Sequence, residues 1–131
     1  MKKSPNGFTV FELVICIFFV GIFVVLFFLQ KINLDAMDRD EQRKIAVNAM
    51  YYALEEGFFP QHGHYPEFIE NADTLPWMDP NLFTDPFGTN LWVEGSDYHY
   101  QATNCTNGEC QQYILRAIME KEEEFTRTSR N

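Results

Sequence analysis

With 131 residues and a net charge of −9, the chain has room for one small domain and carries the wrong sign of charge to wrap nucleic acid. It shows no Ser, Cys or His nucleophile with an identifiable base, no phosphate loop and no metal-ligand spacing, so neither catalysis nor a cofactor is expected.

Lys2 and Lys3 open the chain, and Leu13 to Leu29 carries no charge, a run at the lower limit of the roughly 17–25 residues a membrane-spanning helix needs. The run exceeds the core of about 7–15 residues typical of a removable secretory signal, and no small-x-small cleavage site follows Leu29. With Lys2 and Lys3 holding the amino end inside, everything after Lys31 is expected outside the cytoplasm. Cys16 lies in the run as a small hydrophobe. Gly21 is the weak helical position there, costing about 1 kcal/mol relative to Ala. Glu12 stands at the run's amino end, where an acid costs less than the roughly 2.5–3.5 kcal/mol charged at helix centre. It is either an interfacial carboxylate favoured by the helix dipole by about 0.3–1 kcal/mol or one that needs a partner.

The segment Gly7-Phe8-Thr9-Val10-Phe11-Glu12 behind a short basic leader resembles the amino terminus of type IV pilins and the related pseudopilins. It places Gly before an aromatic residue, Glu at the fifth position after that Gly, and then an apolar helix. The resemblance implies a leader of residues 1–7, cut between Gly7 and Phe8 by a prepilin peptidase, and N-methylation of Phe8. It further implies that Glu12 pairs, in a filament core, with the Phe8 amine of a neighbouring subunit, which offsets the cost of burying the acid. Asn6 stands where the family often has Lys or Arg, and no Pro interrupts the helix near Leu29.

Gln30 to Glu56 has no Gly or Pro and is rich in helix formers, so a single helix is predicted from Phe8 to Glu56, ended by Gly57 and Pro60. Residues 8–30 would span the membrane or filament core and 31–56 would run under the head. Ile45, Ala49, Met50 and Ala53 or Leu54 are the expected buried positions, while Asp38, Asp40, Glu41, Arg43 and Lys44 keep the earlier turns polar. Residues 39–44, 53–55 and His64-Tyr65-Pro66 look like the helix-to-head junction of bacterial pilins.

Five prolines between Gly57 and Thr89 predict a long irregular connection, pinned by Phe58, Phe59, Tyr65, Phe68, Trp77, Leu82, Phe83 and Phe87. The same aromatics could instead form an exposed binding patch. His62 and His64 read as solvated loop histidines, with a pH-sensitive pair as the alternative. Asp85-Pro86-Phe87-Gly88 resembles the turn that precedes the sheet in pseudopilins, and Pro and Gly there suit a turn with positive φ.

Leu91 to Leu115 predicts three antiparallel strands. Gly95-Ser96 suits a II′ turn pairing Val93 with Tyr98 and Leu91 with Tyr100, and Asn107-Gly108 suits a I′ turn pairing Ala102 with Tyr113 and Tyr100 with Leu115. Leu91, Val93, Tyr98, Tyr100, Ala102, Tyr113, Leu115 and Ala117 then face the helix, and Trp92, His99, Gln101, Gln112 and Arg116 face away. The register sets Cys105 opposite Cys110, with Cα atoms within about 4.5–5.5 Å, so a disulfide is expected. As zinc ligands this pair would need two further soft ligands that His62, His64 and His99 do not supply. Glu94 and Asp97 flank the first turn and are the calcium candidates, short of the six to eight oxygens that ion takes. Tyr113 to Glu120 resembles the final strand of bacterial pilins. A head of residues 57–120 and a flexible charged tail of 121–131 complete the expectation.

The fold class expected is therefore α+β: a long amino-terminal helix, membrane-spanning in its first half, with its second half on a three-stranded antiparallel sheet. By resemblance the chain is a structural subunit of a type IV pilus or related extracellular filament, its partners being other pilin subunits, the prepilin peptidase and the membrane assembly machinery. A pseudopilin of a type II secretion system and a single-span cell-surface binding protein are the alternatives.

Overall fold

The computed structural model describes residues 7–130; of the expected leader, only Gly7 falls among them. The fold is α+β, one long apolar amino-terminal helix followed by a small antiparallel sheet, and it divides into two compact units between Asp35 and Ala36. Helix α1 (Val10–Tyr52) begins two residues later than predicted, because Thr9, not Phe8, caps it. In the first unit every described residue is exposed, including Phe18, Phe23, Phe27 and Phe28. This helix is long and apolar enough to cross a membrane, its most apolar 18-residue window is 0% buried, and the arrangement is compatible with a single-pass membrane anchor.

In the second unit the buried stripe of the helix runs Ala36, Asp40, Arg43, Val47, Met50, Leu54, Gly57, alternating steps of four and three. Two expectations fail here. Ile45 is half exposed, and Asp40 and Arg43, assigned to the polar face, are each 1% exposed. The stripe ends at Gly57 but the helix, expected to stop there, does not: it passes through a π-helical turn (Ala53–Phe58) into α2 (Phe59–His62) before Gly63 ends it in the left-handed region. Gly57 is kept by packing: a Cβ there would lie 2.7 Å from Cε3 of Trp77. Pro60 sits in the first turn after the π segment, where a missing N–H costs least.

The sheet has four strands, not three: β1 (Tyr65–Pro66), β2 (Tyr98–Thr106), β3 (Glu109–Ala117) and β4 (Phe125–Thr128). β3 is central, with β2 on one side and β1 and β4 both pairing with it. The β2–β3 register is the expected one, pairing Tyr100 with Leu115, Ala102 with Tyr113 and Cys105 with Cys110. Asn107 and Gly108 both take positive φ, as a I′ turn requires. Tyr98, Tyr113, Leu115 and Ala117 are buried, while His99, Gln101 and Gln112 are exposed.

The first predicted hairpin does not form. The Leu91 N–H goes to Phe83 O and the Val93 N–H to Asn90 O, so neither is free for Tyr98 or Tyr100. Gly95 (φ 90°) is the third residue of a turn closed by the Ser96 N–H on Val93 O, and Val93 is left half exposed. The tail expected to be flexible instead supplies β4. Its Phe-Thr-Arg-Thr alternation puts Phe125 against the core, and the Arg127 guanidinium lies 5.3 Å from the centre of the Tyr51 ring and hydrogen-bonds Asn48 at 2.8 Å. Between Gly57 and Thr89 the connection is less irregular than expected, holding α2, β1 and two 3₁₀ turns (Ala72–Thr74 and Pro80–Phe83). Tyr65 and Phe83 are buried in the core, whereas Phe68, Trp77 and Phe87 are largely exposed.

Candidate functional site

At the start of α1, Thr9 and Glu12 form a reciprocal cap. The Thr9 N–H and hydroxyl each donate to Glu12 Oε2 at 3.0 Å, and the Glu12 N–H donates to Thr9 Oγ1 at 3.3 Å. Thr-x-x-Glu is the capping-box spacing, and it satisfies two of the orphan donors at a helix amino end. Thr9-Val10-Phe11-Glu12 carries that signal in the sequence itself, directly after the Gly7-Phe8 pair. Gly7 and Phe8 precede the cap and are exposed, Phe8 to 78%. The cap uses one carboxylate oxygen, and an ionised carboxylate offers about four lone-pair sites, so Glu12 can cap its own helix and still accept from an ammonium.

The second unit holds a charged cluster that hydrophobic patterning could not find. Arg43, on the buried stripe, donates to Asp40 at 2.9 Å, to Glu120 at 3.0 Å, and to Asp97 at 3.0 and 2.7 Å. Arg39 adds a two-pronged grip on Glu120, both bonds 2.7 Å. Asp40 accepts the Glu120 and Lys121 N–H groups, both at 2.8 Å, which fixes the turn between β3 and β4. Burial opposes ionisation of Asp40, but those N–H groups and Arg43 hold its carboxyl below the ordinary 3.8. Glu120 is held down to about 2, chiefly by the Arg39 hydrogen bonds.

Phe87 covers the cluster, its ring centre 5.6 Å from the Arg39 guanidinium and 5.4 Å from that of Arg43. The Asp-Pro-Phe-Gly turn presents that ring. Asp85 accepts the N–H groups of Phe87, Thr89 and Asp97 at 2.9, 2.9 and 3.0 Å, and Gly88 takes positive φ. Asp97, a calcium candidate from the sequence, is thus engaged by a guanidinium, while Glu94 is exposed. Among the described residues no group of three or more His, Cys, Asp or Glu could hold a metal ion.

Glu55 is a second buried carboxylate. It accepts the Tyr65 hydroxyl at 3.1 Å, the Tyr113 hydroxyl at 2.8 Å and the Arg130 N–H at 3.2 Å, tying helix, β1, β3 and the chain's end at one point. Burial, then the Glu55 charge and its hydrogen bond, push the Tyr65 phenol well up. Cys105 and Cys110 are bridged with Cα atoms 3.9 Å apart, nearer than expected, beside Asn104 in the left-handed region. Cys16 is a free thiol, exposed in the first unit.

Comparison with family models, with curated proteins and with solved structures finds no match to this chain.

Proposed function

We propose that this chain is a structural subunit of a type IV pilus or a related extracellular filament, processed between Gly7 and Phe8 and assembled through its amino-terminal helix. The observation that carries the reading is the exposed apolar helix headed by Glu12. Its apolar window is uncovered by any of the described residues, and a bilayer or neighbouring helices would supply that cover. In that setting Glu12 needs a cation, and the methylated amine of Phe8 on a neighbouring subunit is one that the Thr9 cap leaves room for. The subunit then waits in the cytoplasmic membrane with its head outside and leaves it for the filament. Its partners are other pilin subunits, the peptidase and the assembly machinery, and it is not itself catalytic. A pseudopilin of a type II secretion system would share every one of these steps.

Glu12→Gln tests the pairing. It keeps size and hydrogen bonding but removes the charge, so surface filament yield should collapse while the membrane-bound subunit persists. Filament yield equal to the parent chain's at matched subunit level refutes the pairing, and mass spectrometry that finds Met1 to Gly7 retained on the native protein refutes the processing. A single-span surface binding protein is the second reading. An open recess of about 480 Å³ lined by Phe68, Ile69, Glu70, Leu91, Trp92 and Tyr100 favours it. That reading predicts a cell surface bearing the protein without filaments.

A further inference from the structure

The end of the helix carries an arrangement that the filament reading does not use. Gly63, left-handed at φ 76°, turns the chain between His62 and His64 and leaves the two imidazoles with ring centres 5.9 Å apart. His62 Nδ1 lies 2.9 Å from Phe58 O, and His64 Nδ1 lies 3.2 Å from Tyr65 O. A carbonyl only accepts, so in each ring the proton is on Nδ1, and a neutral ring keeps its lone pair on Nε2. Phe58 braces both planes, stacked on His62 at 4.1 Å and edge-on to His64 at 5.9 Å. The sequence reads both as solvated loop histidines; His62 is exposed, yet it ends α2, and each ring is held by a carbonyl and by Phe58.

Metal-bound histidines are held in this manner, the far nitrogen fixed by a main-chain carbonyl so that the near one is oriented and more basic. Nitrogens at about 2.0–2.1 Å from one ion put ring centres about 4.5 Å apart when cis and about 6.4 Å apart when trans, and 5.9 Å falls within that span. The site also lies at a helix carboxyl end, where unpaired carbonyls favour a cation, on a chain of net charge −9. His62 is exposed and His64 half-buried, so an ion has access.

We propose that His62 and His64 form a two-imidazole site for a first-row transition ion, copper(II) foremost, with water completing the coordination. Two nitrogen donors without a further His, Cys, Asp or Glu in the group fall short of a closed tetrahedral zinc site and offer calcium no oxygen. Copper(II) stands highest in the divalent affinity order and accepts a tetragonal set of two nitrogens and waters. The site needs no filament.

The test is titration of the full chain in detergent micelles with copper(II) alone, Cys16 blocked by alkylation, read by calorimetry and pulsed electron paramagnetic resonance. The expected result is one ion per chain with two imidazole couplings. His62→Gln or His64→Gln should each weaken binding about tenfold or more and leave one coupling, at unchanged circular dichroism. His99→Gln, on the exposed face of β2, should change nothing. Gly63→Ala, which strains the turn without a steric clash, should weaken binding while both imidazoles remain. The proposal is overturned by no binding, by a single imidazole coupling in the parent chain, or by equal affinity in the parent and the double variant lacking both His62 and His64.

Discussion

Replacing Arg43 with Ala removes the centre of the charged cluster, and the geometry sets the size of the effect. The guanidinium makes four hydrogen bonds to three carboxylates. Without it Asp97 and Glu120, with side chains 20% and 28% exposed, can turn to water, and Arg39 still holds Glu120. Asp40, its side chain 2% exposed, cannot turn, and keeps only its two N–H donors. Breaking a buried pair by removing one partner costs about 3–5 kcal/mol, and the retained donors place this case near about 3 kcal/mol. Against the roughly 5–15 kcal/mol that holds a domain together, that is a large share. Both tryptophans, Trp77 and Trp92, lie in the second unit, so urea unfolding of the full chain in micelles, followed by tryptophan fluorescence, reads this unit directly. Arg43→Met with Asp40→Asn should recover part of the loss, because it removes the stranded charge as well as its partner. A loss below about 1 kcal/mol for Arg43→Ala, the scale of an exposed pair, refutes the reasoning.

Acid should loosen the same cluster. Glu120 is held at about 2 against an ordinary 4.5, so its contribution is complete above about pH 4.5 and is lost as pH falls towards 2. Thermal melts between those limits should show a steady drop that Glu120→Gln flattens. At the alkaline end, burial pushes Tyr98 up to about 12 and raises Tyr65, Tyr100 and Tyr113 further. Absorbance titration of the folded chain should therefore leave these four of the six tyrosines un-ionised at pH 10, and full ionisation there would contradict their burial. Glu55→Leu strands the buried Tyr65 and Tyr113 hydroxyls and should cost about 1–3 kcal/mol for each, measured by the same urea titration. Thiol labelling of the unreduced chain should mark Cys16 alone, and reduction of the short Cys105–Cys110 loop should cost no more than about 2 kcal/mol.

Local chemistry made the legible parts legible. Asn107-Gly108 dictates both positive φ values of its turn, and the pairing, the buried face and the disulfide then follow from a period of two. Gly95-Ser96 offered the same kind of signal, but Leu91 and Val93 spend their N–H groups on Phe83 and Asn90, a choice made by the tertiary structure. The helix was readable, its ends and inner face less so. Gly57 and Pro60 look like stop signals until Trp77 and the π turn account for them. The stripe from Ala36 to Gly57 is hidden because two of its positions are Asp40 and Arg43, and reading burial from hydrophobicity skips both. Their partners Asp97, Glu120 and Lys121 lie some 54–81 residues away in sequence, beyond the reach of any local pattern, and Lys121 opens the stretch whose charge resembled disorder.

That spacing bears on the order in which the chain can be finished. A ribosome makes the helix first, yet Asp40, Asn48 and Glu55 find their partners in Glu120, Arg127 and Arg130, which emerge 75 to 80 residues later. The second unit therefore cannot close before residues 120–130 have been made, and these long-range contacts are the slow kind to form. Until then the half-made protein must tolerate an unpaired helix in water. An inner face of Ile and Leu at positions 40 and 43 would invite aggregation during that wait, whereas Asp and Arg keep the intermediate soluble and become buried only when the final strand arrives.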